Sequence, residues 1–123
     1  MPTGSVNAKP EAILPLRVRG PSGLVRDVEA LIDTGYSGVI VLPGPLVTLL
    51  GLPKRRSVDV RLGDGTVRRF DVFAAELEWD GQWQTVAVSA IGHRAIIGME
   101  LLVGHSVRLD VAPGGVVEIV PIP

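Results

Sequence analysis

The chain has 123 residues, of which 46% are hydrophobic and 20% are charged, and its formal net charge is −1. This length and composition predict one globular domain with a hydrophobic core, and they exclude general disorder. The small net charge, with Lys and Arg scattered along the chain, argues against a nucleic-acid partner. Cysteine is absent, which excludes disulfides, cysteine zinc sites and thiol nucleophiles.

The beginning of the chain is polar and is interrupted by Pro2 and Pro10. Residues 1–10 are therefore predicted to form a flexible N-terminal arm rather than a signal peptide, and residues 11–123 to form the single domain. No apolar run approaches the roughly 20 residues that cross a bilayer as a helix. We therefore expect no membrane partner and a cytoplasmic location.

Short apolar runs separated by Gly and Pro predict an all-β fold, a sandwich or barrel with one or two short helices. The predicted helices are Pro45–Leu50, which Gly51 can end, and Met99–Val103. The predicted strands are, in chain order, Ile13–Val18, Leu24–Ile32, Val39–Leu42, Ser57–Leu62, Thr66–Trp79, Trp83–Ala90, Val107–Val111 and Val116–Val120, with a short buried run at Ala95–Gly98.

Two hairpin turns are predicted from Gly and Asp. Gly63-Asp64-Gly65 joins the fourth and fifth predicted strands, and Asp80-Gly81 joins the fifth to the sixth. Trp79 and Trp83 flank the second turn, and we expect them to stack across it as a packing pair.

The candidate for chemistry is Asp33-Thr34-Gly35. Alone, this tripeptide is also typical of a turn that ends a strand with a solvated Asp. Its flanks change the interpretation, because Ala30-Leu31-Ile32 precedes it and Val39–Leu42 follows it, so the carboxylate lies in a loop between two buried strands. The Thr34 hydroxyl can tie such a loop by hydrogen bonds, and Gly35 permits close backbone approach.

The run from Ala30 to Gly35 resembles the active-site loop of retropepsin-like (clan AA) aspartic proteases, in which two apolar residues precede Asp-Thr-Gly. Ala95–Leu102 resembles the late segment in which a Gly crosses behind that loop. The resemblance extends over residues 13–120, and Tyr36 and Leu42-Pro43 match bacterial and archaeal members. It implies a closed acid-protease β-barrel, with Gly63, Asp64 and Gly65 forming the tip of a flap over the substrate.

The resemblance implies an aspartic endopeptidase with Asp33 as the catalytic carboxylate and with Thr34 and Gly35 holding its loop. Acid–base catalysis of this kind needs two carboxylates that share one proton. One chain supplies a single Asp33, so a homodimer with a two-fold axis between two copies of the loop is expected. The expected substrate is a polypeptide, and neither a metal nor an organic cofactor is required.

The sequence departs from most retroviral members at three positions: a bulky Tyr36 stands where they have a small residue, and Met99 and Ser37 replace an Arg–Asp ion pair. Two alternatives remain open. The same fold could act as a non-catalytic peptide-binding or dimerisation module, with Tyr36 filling the cleft. A generic β-barrel binding domain would leave Asp33 as a turn residue.

Other polar residues carry weaker signals. The spacing of His93 and His105 with Glu100 or Asp110 matches no metal-ligand signature. Ser37 lacks the surroundings of a hydrolase nucleophile. The two arginine pairs, Arg55-Arg56 and Arg68-Arg69, are interpreted as solvated charges at strand edges or turns.

Overall fold

A computed structural model describes residues 2–123 of the chain. It contains ten strands and one helix in this part of the sequence. The strands are β1 (Thr3–Val6), β2 (Ala12–Arg19), β3 (Val25–Ile32), β4 (Ile40–Leu42), β5 (Lys54–Arg61), β6 (Val67–Trp79), β7 (Gln82–Ala90), β8 (Ala95–Ile97), β9 (His105–Leu109) and β10 (Val116–Pro121), and the helix is α1 (Gly44–Leu50). No helix among the described residues is long and apolar enough to cross a membrane.

Six of the strands close into a barrel. Their order is β6-β7-β4-β8-β3-β2, and the ring closes because β2 also pairs with β6, with Arg17 opposite Glu78 and Arg19 opposite Glu76. Strand β5 continues beyond β6 as the outer arm of a hairpin, while β1, β10 and β9 extend the sheet from β2. The predicted all-β closed barrel with a short helix is confirmed.

The hydrophobic core is formed by apolar side chains of the barrel strands together with side chains from α1 and β10. Its most buried large side chains are Leu14, Val18, Ile40, Leu42, Leu50, Leu77, Val88, Ile97, Val117 and Ile119. None of the side chains classed as buried in residues 2–123 is polar or charged. The core therefore rests on hydrophobic burial and holds the strand ends in fixed positions.

Strand β8 lies between β3 and β4 in the barrel. The strands β3 and β4 follow each other in sequence but do not pair, because β8 lies between them, parallel to β3 and antiparallel to β4. This arrangement places Asp33, the residue after β3, beside the end of β8. Its backbone N–H donates a hydrogen bond of 3.0 Å to the carbonyl of Ile97.

The helix and the Asp80-Gly81 turn form where Pro, Gly and Asp in the sequence predict them. Helix α1 has Pro45 in its first turn and ends at Gly51, whose φ of 62° places it in the left-handed region that glycine tolerates. At the second hairpin Asp80 and Gly81 have φ of 53° and 80°, the pair of positive values that a two-residue type I′ turn needs.

Three expectations need correction or addition. Residues 99–104 form hydrogen-bonded turns instead of the predicted helix at Met99–Val103. Trp79 and Trp83 do not stack on each other. Trp79 is opposite Gln82 and is buried against His105. Trp83 instead contacts Arg19, whose guanidinium carbon lies 4.1 Å from the centre of the Trp83 ring. Strand β1, inside the predicted N-terminal arm, pairs with both β2 and β10.

Candidate active site

The Asp33 loop is a tight turn built from its own backbone. The side-chain oxygen Oδ1 of Asp33 accepts a hydrogen bond of 2.8 Å from the N–H of Gly35, and its carbonyl accepts one of 3.1 Å from the N–H of Tyr36. No other donor in residues 2–123 bonds to this carboxylate. Asp33 is half-buried, while Thr34 and Gly35 are exposed. One carboxylate oxygen is thus fixed, and the second remains available to a water, a substrate or a partner.

Three backbone hydrogen bonds hold the loop against the segment that follows β8. The N–H groups of Gly98, Met99 and Glu100 donate to the carbonyls of Val39, Tyr36 and Gly38, at 3.0, 2.8 and 3.1 Å. The segment containing Ile96-Ile97-Gly98 therefore crosses behind Asp33-Thr34-Gly35, as the sequence resemblance implied. These bonds fix the position of the carboxylate relative to the barrel.

Gly98 is required by the closeness of this crossing. A Cβ atom at position 98 would lie 2.1 Å from the carbonyl oxygen of Gly38 and 2.6 Å from Cδ2 of Tyr36. The first of these is a backbone atom, so relief requires the loop itself to move. The constraint is space alone, because Gly98 does not adopt a positive φ.

We predict that Gly98→Ala lowers the free energy of unfolding by about 1–3 kcal/mol through overpacking and displaces the Asp33 loop. Urea denaturation followed by tryptophan fluorescence measures the first effect. Gly63→Ala is the matched control, since nothing lies within 4 Å of a Cβ there and Gly63 does not adopt a positive φ. Its stability should stay equal or rise by up to about 1 kcal/mol. Equal stability of Gly98→Ala and Gly63→Ala would contradict the packing described above.

Tyr36 crosses from the loop to β7. Its ring lies against Gly98 and Gly38, and a Cβ on Gly38 would be 2.3 Å from the tyrosine hydroxyl oxygen. That hydroxyl lies 3.5 Å from Oγ of Ser89. The large Tyr36 side chain, which stands where most retroviral members have a small residue, thus packs on two glycines and extends toward β7. Ser89 was not singled out from the sequence.

Beside Asp33 the sheet carries a second row of side chains, five of them apolar, outside the main core cluster. We call it the outer row, and each member is directly opposite the next in the strand registers. Laterally paired residues project from the same face of a sheet. In spatial order the outer row consists of Ile13, Leu31, Ile96, Val41, Ser89 and Val72.

The outer row and Asp33 share one face of the sheet. Leu31 is flanked by Ala30 and Ile32, which belong to the core cluster, so Leu31 projects away from the core. Asp33 follows Leu31 by two residues, and its N–H continues the pairing of β3 with β8 by bonding to Ile97, so the period of two places it on the same side. The approach of the Tyr36 hydroxyl to Ser89, a member of the row, agrees with this placement. The Asp33 loop therefore lies at the edge of a mostly apolar surface of the sheet.

The predicted flap turn is a well-defined hairpin loop. The N–H of Gly65 donates to the carbonyl of Leu62 at 3.0 Å, and Gly65 has a φ of 85°. The carboxylate of Asp64 accepts hydrogen bonds from the N–H and the hydroxyl of Thr66, at 2.9 and 2.6 Å. Within residues 2–123 no hydrogen bond or ion pair joins this turn to Asp33.

The two hydrogen bonds of Asp64 favour its ionised form. The side-chain bond from Thr66 and then its backbone bond hold the pKa of the Asp64 carboxyl below its ordinary value. A depressed pKa stabilises the turn at pH values above the pKa of an unfolded aspartate, and this stabilisation is lost as the pH falls through the lowered pKa.

We therefore predict that the amide proton resonance of Thr66 titrates in acid, with a midpoint below that of an unstructured aspartate, as followed by NMR. In Asp64→Asn the titration should disappear. A Thr66 resonance in the wild-type protein that does not respond to acid would show that the carboxylate does not hold the turn.

The remaining polar candidates do not assemble into a site. Among residues 2–123 there is no group of three or more metal-ligating side chains that could share an ion. The ring of His105 packs edge-on against Trp79, with 5.7 Å between ring centroids, and His93 is exposed in the loop before β8. Ser37 is exposed and makes no side-chain hydrogen bond within the described part of the chain.

Comparison with known proteins supports the fold. No family model and no curated protein sequence matches the chain. Among solved structures, the chain is similar to a retropepsin-like aspartic protease from Rickettsia conorii, with a TM-score of 0.60 and 15% sequence identity. The alignment covers 96% of this chain and 87% of the other. The fold is therefore retropepsin-like, as the resemblance in the sequence implied.

Proposed function

We propose that this protein is a homodimeric aspartic endopeptidase that hydrolyses peptide bonds between two Asp33 carboxyl groups. The observation that carries the proposal is the Asp33 loop. One carboxylate oxygen is fixed by Gly35, the other is available, and the loop is backed by Gly98 on a retropepsin-like barrel. A solvated turn at the end of a strand would need no such backing.

The chemistry requires a second carboxylate, because one group cannot be proton acceptor and donor in the same step. Two carboxyl groups a few ångströms apart share one proton, since both cannot ionise easily. The ionised member takes a proton from water as the water oxygen attacks the peptide carbonyl carbon. The protonated member donates to the carbonyl oxygen. The C–N bond then breaks as the carboxyl group that took the proton of water passes it to the leaving nitrogen, and the other carboxylate regains a proton from the hydroxyl that becomes the new carbonyl.

A two-fold axis beside the loop would supply the second Asp33, because an isologous interface places identical residues together. Exposure of Thr34 and Gly35 supports this, since the surface next to the carboxylate is open to a second chain. The Thr34 hydroxyl has no hydrogen-bond partner within residues 2–123 and is free to bond across the axis. Gly35 leaves room for the approach.

The outer row suits an extended peptide. Its half-buried apolar members Ile13, Leu31 and Ile96 lie on the strands next to Asp33, so a substrate strand would bury apolar side chains against them beside the cleaved bond. The hairpin turn at Gly63, Asp64 and Gly65 would close over it and exclude water other than the attacking molecule.

Digestion of a random peptide library by the wild-type protein, between about pH 3 and 7, tests the proposal. Mass spectrometry of the products should show cleavage between apolar residues, with a bell-shaped dependence of rate on pH. An absence of cleavage across this range, by protein that is dimeric on a sizing column, would contradict it. That result would favour a peptide-binding or dimerisation module with the same fold.

A further inference from the structure

The two faces of the β5–β6 hairpin differ in how their charges are paired. The face turned away from the outer row carries two ion pairs, Arg69 with Asp59 and Lys54 with Asp71, each at 3.1 Å. The hydroxyl of Ser57 also donates to Asp71, at 3.0 Å. Most of the charge on this face is neutralised within the hairpin itself.

The other face continues the outer row. Val72, the last member of the row, is directly opposite Arg56 on β5, and the pairing proceeds without interruption toward the turn. Residues opposite each other or two apart on a strand share a face. This face therefore consists of Arg56, Val58, Val60, Arg68, Phe70 and Val72.

Two arginines on this face have no acidic partner. Neither Arg56 nor Arg68 forms an ion pair with any of residues 2–123, although both are exposed. The guanidinium carbon of Arg68 lies 5.8 Å from the centre of the Phe70 ring, which places it over the apolar part of the same face. The exposure of Arg56 and Arg68 agrees with the sequence interpretation of solvated charges, and the strand register adds the face on which they lie.

We infer that Arg56 and Arg68 select substrates with acidic side chains beside the apolar residues that flank the cleaved bond. The inference rests on the proposed peptide cleft. A guanidinium over an apolar surface binds a carboxylate through paired hydrogen bonds, and partial exclusion of water strengthens that contact. A peptide on the outer row would place alternate side chains toward the hairpin face that carries both arginines.

The test separates recognition from cleavage by using Asp33→Asn for binding and the wild-type chain for hydrolysis. Two fluorescein-labelled peptide pools have apolar residues at two central positions, and Glu or Gln on each side of that centre. Fluorescence anisotropy at pH 6 should show the Glu pool binding Asp33→Asn about fivefold more tightly. The preference should shrink in about 0.5 M NaCl.

Arg56→Gln with Arg68→Gln should bring the two pools within about twofold of each other. Arg61→Gln is the matched control: Arg61 lies on the opposite face of the same hairpin and has no ion pair with the described residues, and its substitution should leave the preference intact. Equal binding of the two pools, no binding of either, or an equal loss in Arg61→Gln would overturn the inference. A Glu preference without hydrolysis by the wild-type chain would refute proteolysis and leave the recognition by arginine standing.

Discussion

Asp33→Asn is expected to lower kcat/KM for peptide cleavage by about 10²–10⁴-fold or more. The amide can neither accept the proton of the attacking water nor donate one to the peptide carbonyl. Its side-chain oxygen can still accept the hydrogen bond from the Gly35 N–H, which in the wild-type protein is 2.8 Å long. Activity should therefore be lost while the loop and the fold are retained.

The measurement compares initial rates on one fluorogenic peptide, with circular dichroism and thermal unfolding as checks on the fold. Asp27→Asn makes the same substitution six residues earlier, on β3, where the side chain is 89% exposed and faces Arg17 at 3.6 Å. That variant should keep full activity. Equal rates for Asp33→Asn and the wild-type protein would remove Asp33 from the mechanism.

A tethered dimer with one normal copy and one Asp33→Asn copy is expected to be as inactive as a tether with both copies substituted. If each chain acted alone, the mixed tether would retain half of the wild-type rate. If two carboxylates must share a proton, a single remaining Asp33 supplies only one of the two roles. The loss should again be about 10²–10⁴-fold relative to the tether of two normal copies.

Equal sizes for the tethers on a sizing column, and equal unfolding midpoints, serve as the controls. An activity near half that of the normal tether would show that the chains work independently. The proposed shared site would then be wrong, whatever the oligomeric state.

Local signals predicted much of this fold. The hairpin at Asp80-Gly81 and the helix ended by Gly51 follow from backbone preferences that a few residues express on their own. The register at that hairpin was also predictable: a two-residue turn pairs Trp79 with Gln82, so Trp83 must lie on the other face. The expected stacking of the two tryptophans overlooked this count.

Other features depend on partners distant in sequence. The segment after Gly98, predicted to be a helix, contains the buried residues Leu101 and Leu102 and is ended by Gly104. A helix of this length is too short to offset the cost of nucleation, so the segment forms turns instead. Strand β1 has little apolar alternation of its own and is defined by pairing with β2 and β10.

The candidate site also has parts that local sequence predicts and parts that depend on distant pairing. Asp33, its apolar flanks and the segment ending at Gly98 could be recognised from sequence because residue types carry them. The outer row could not, because it depends on the lateral registers of six strands. A hint existed in β3 and β8, whose consecutive apolar residues are typical of strands covered on both faces.

The most direct test of the central claim is a crystal structure of the dimer, with the positions of the two Asp33 carboxyl groups as the measured quantity. We expect a two-fold axis to pass between the Asp33 loops and both carboxyl groups to lie within about 3 Å of one shared water. A monomer, or a dimer whose Asp33 carboxyl groups are too far apart to share a water, would contradict the proposed active site.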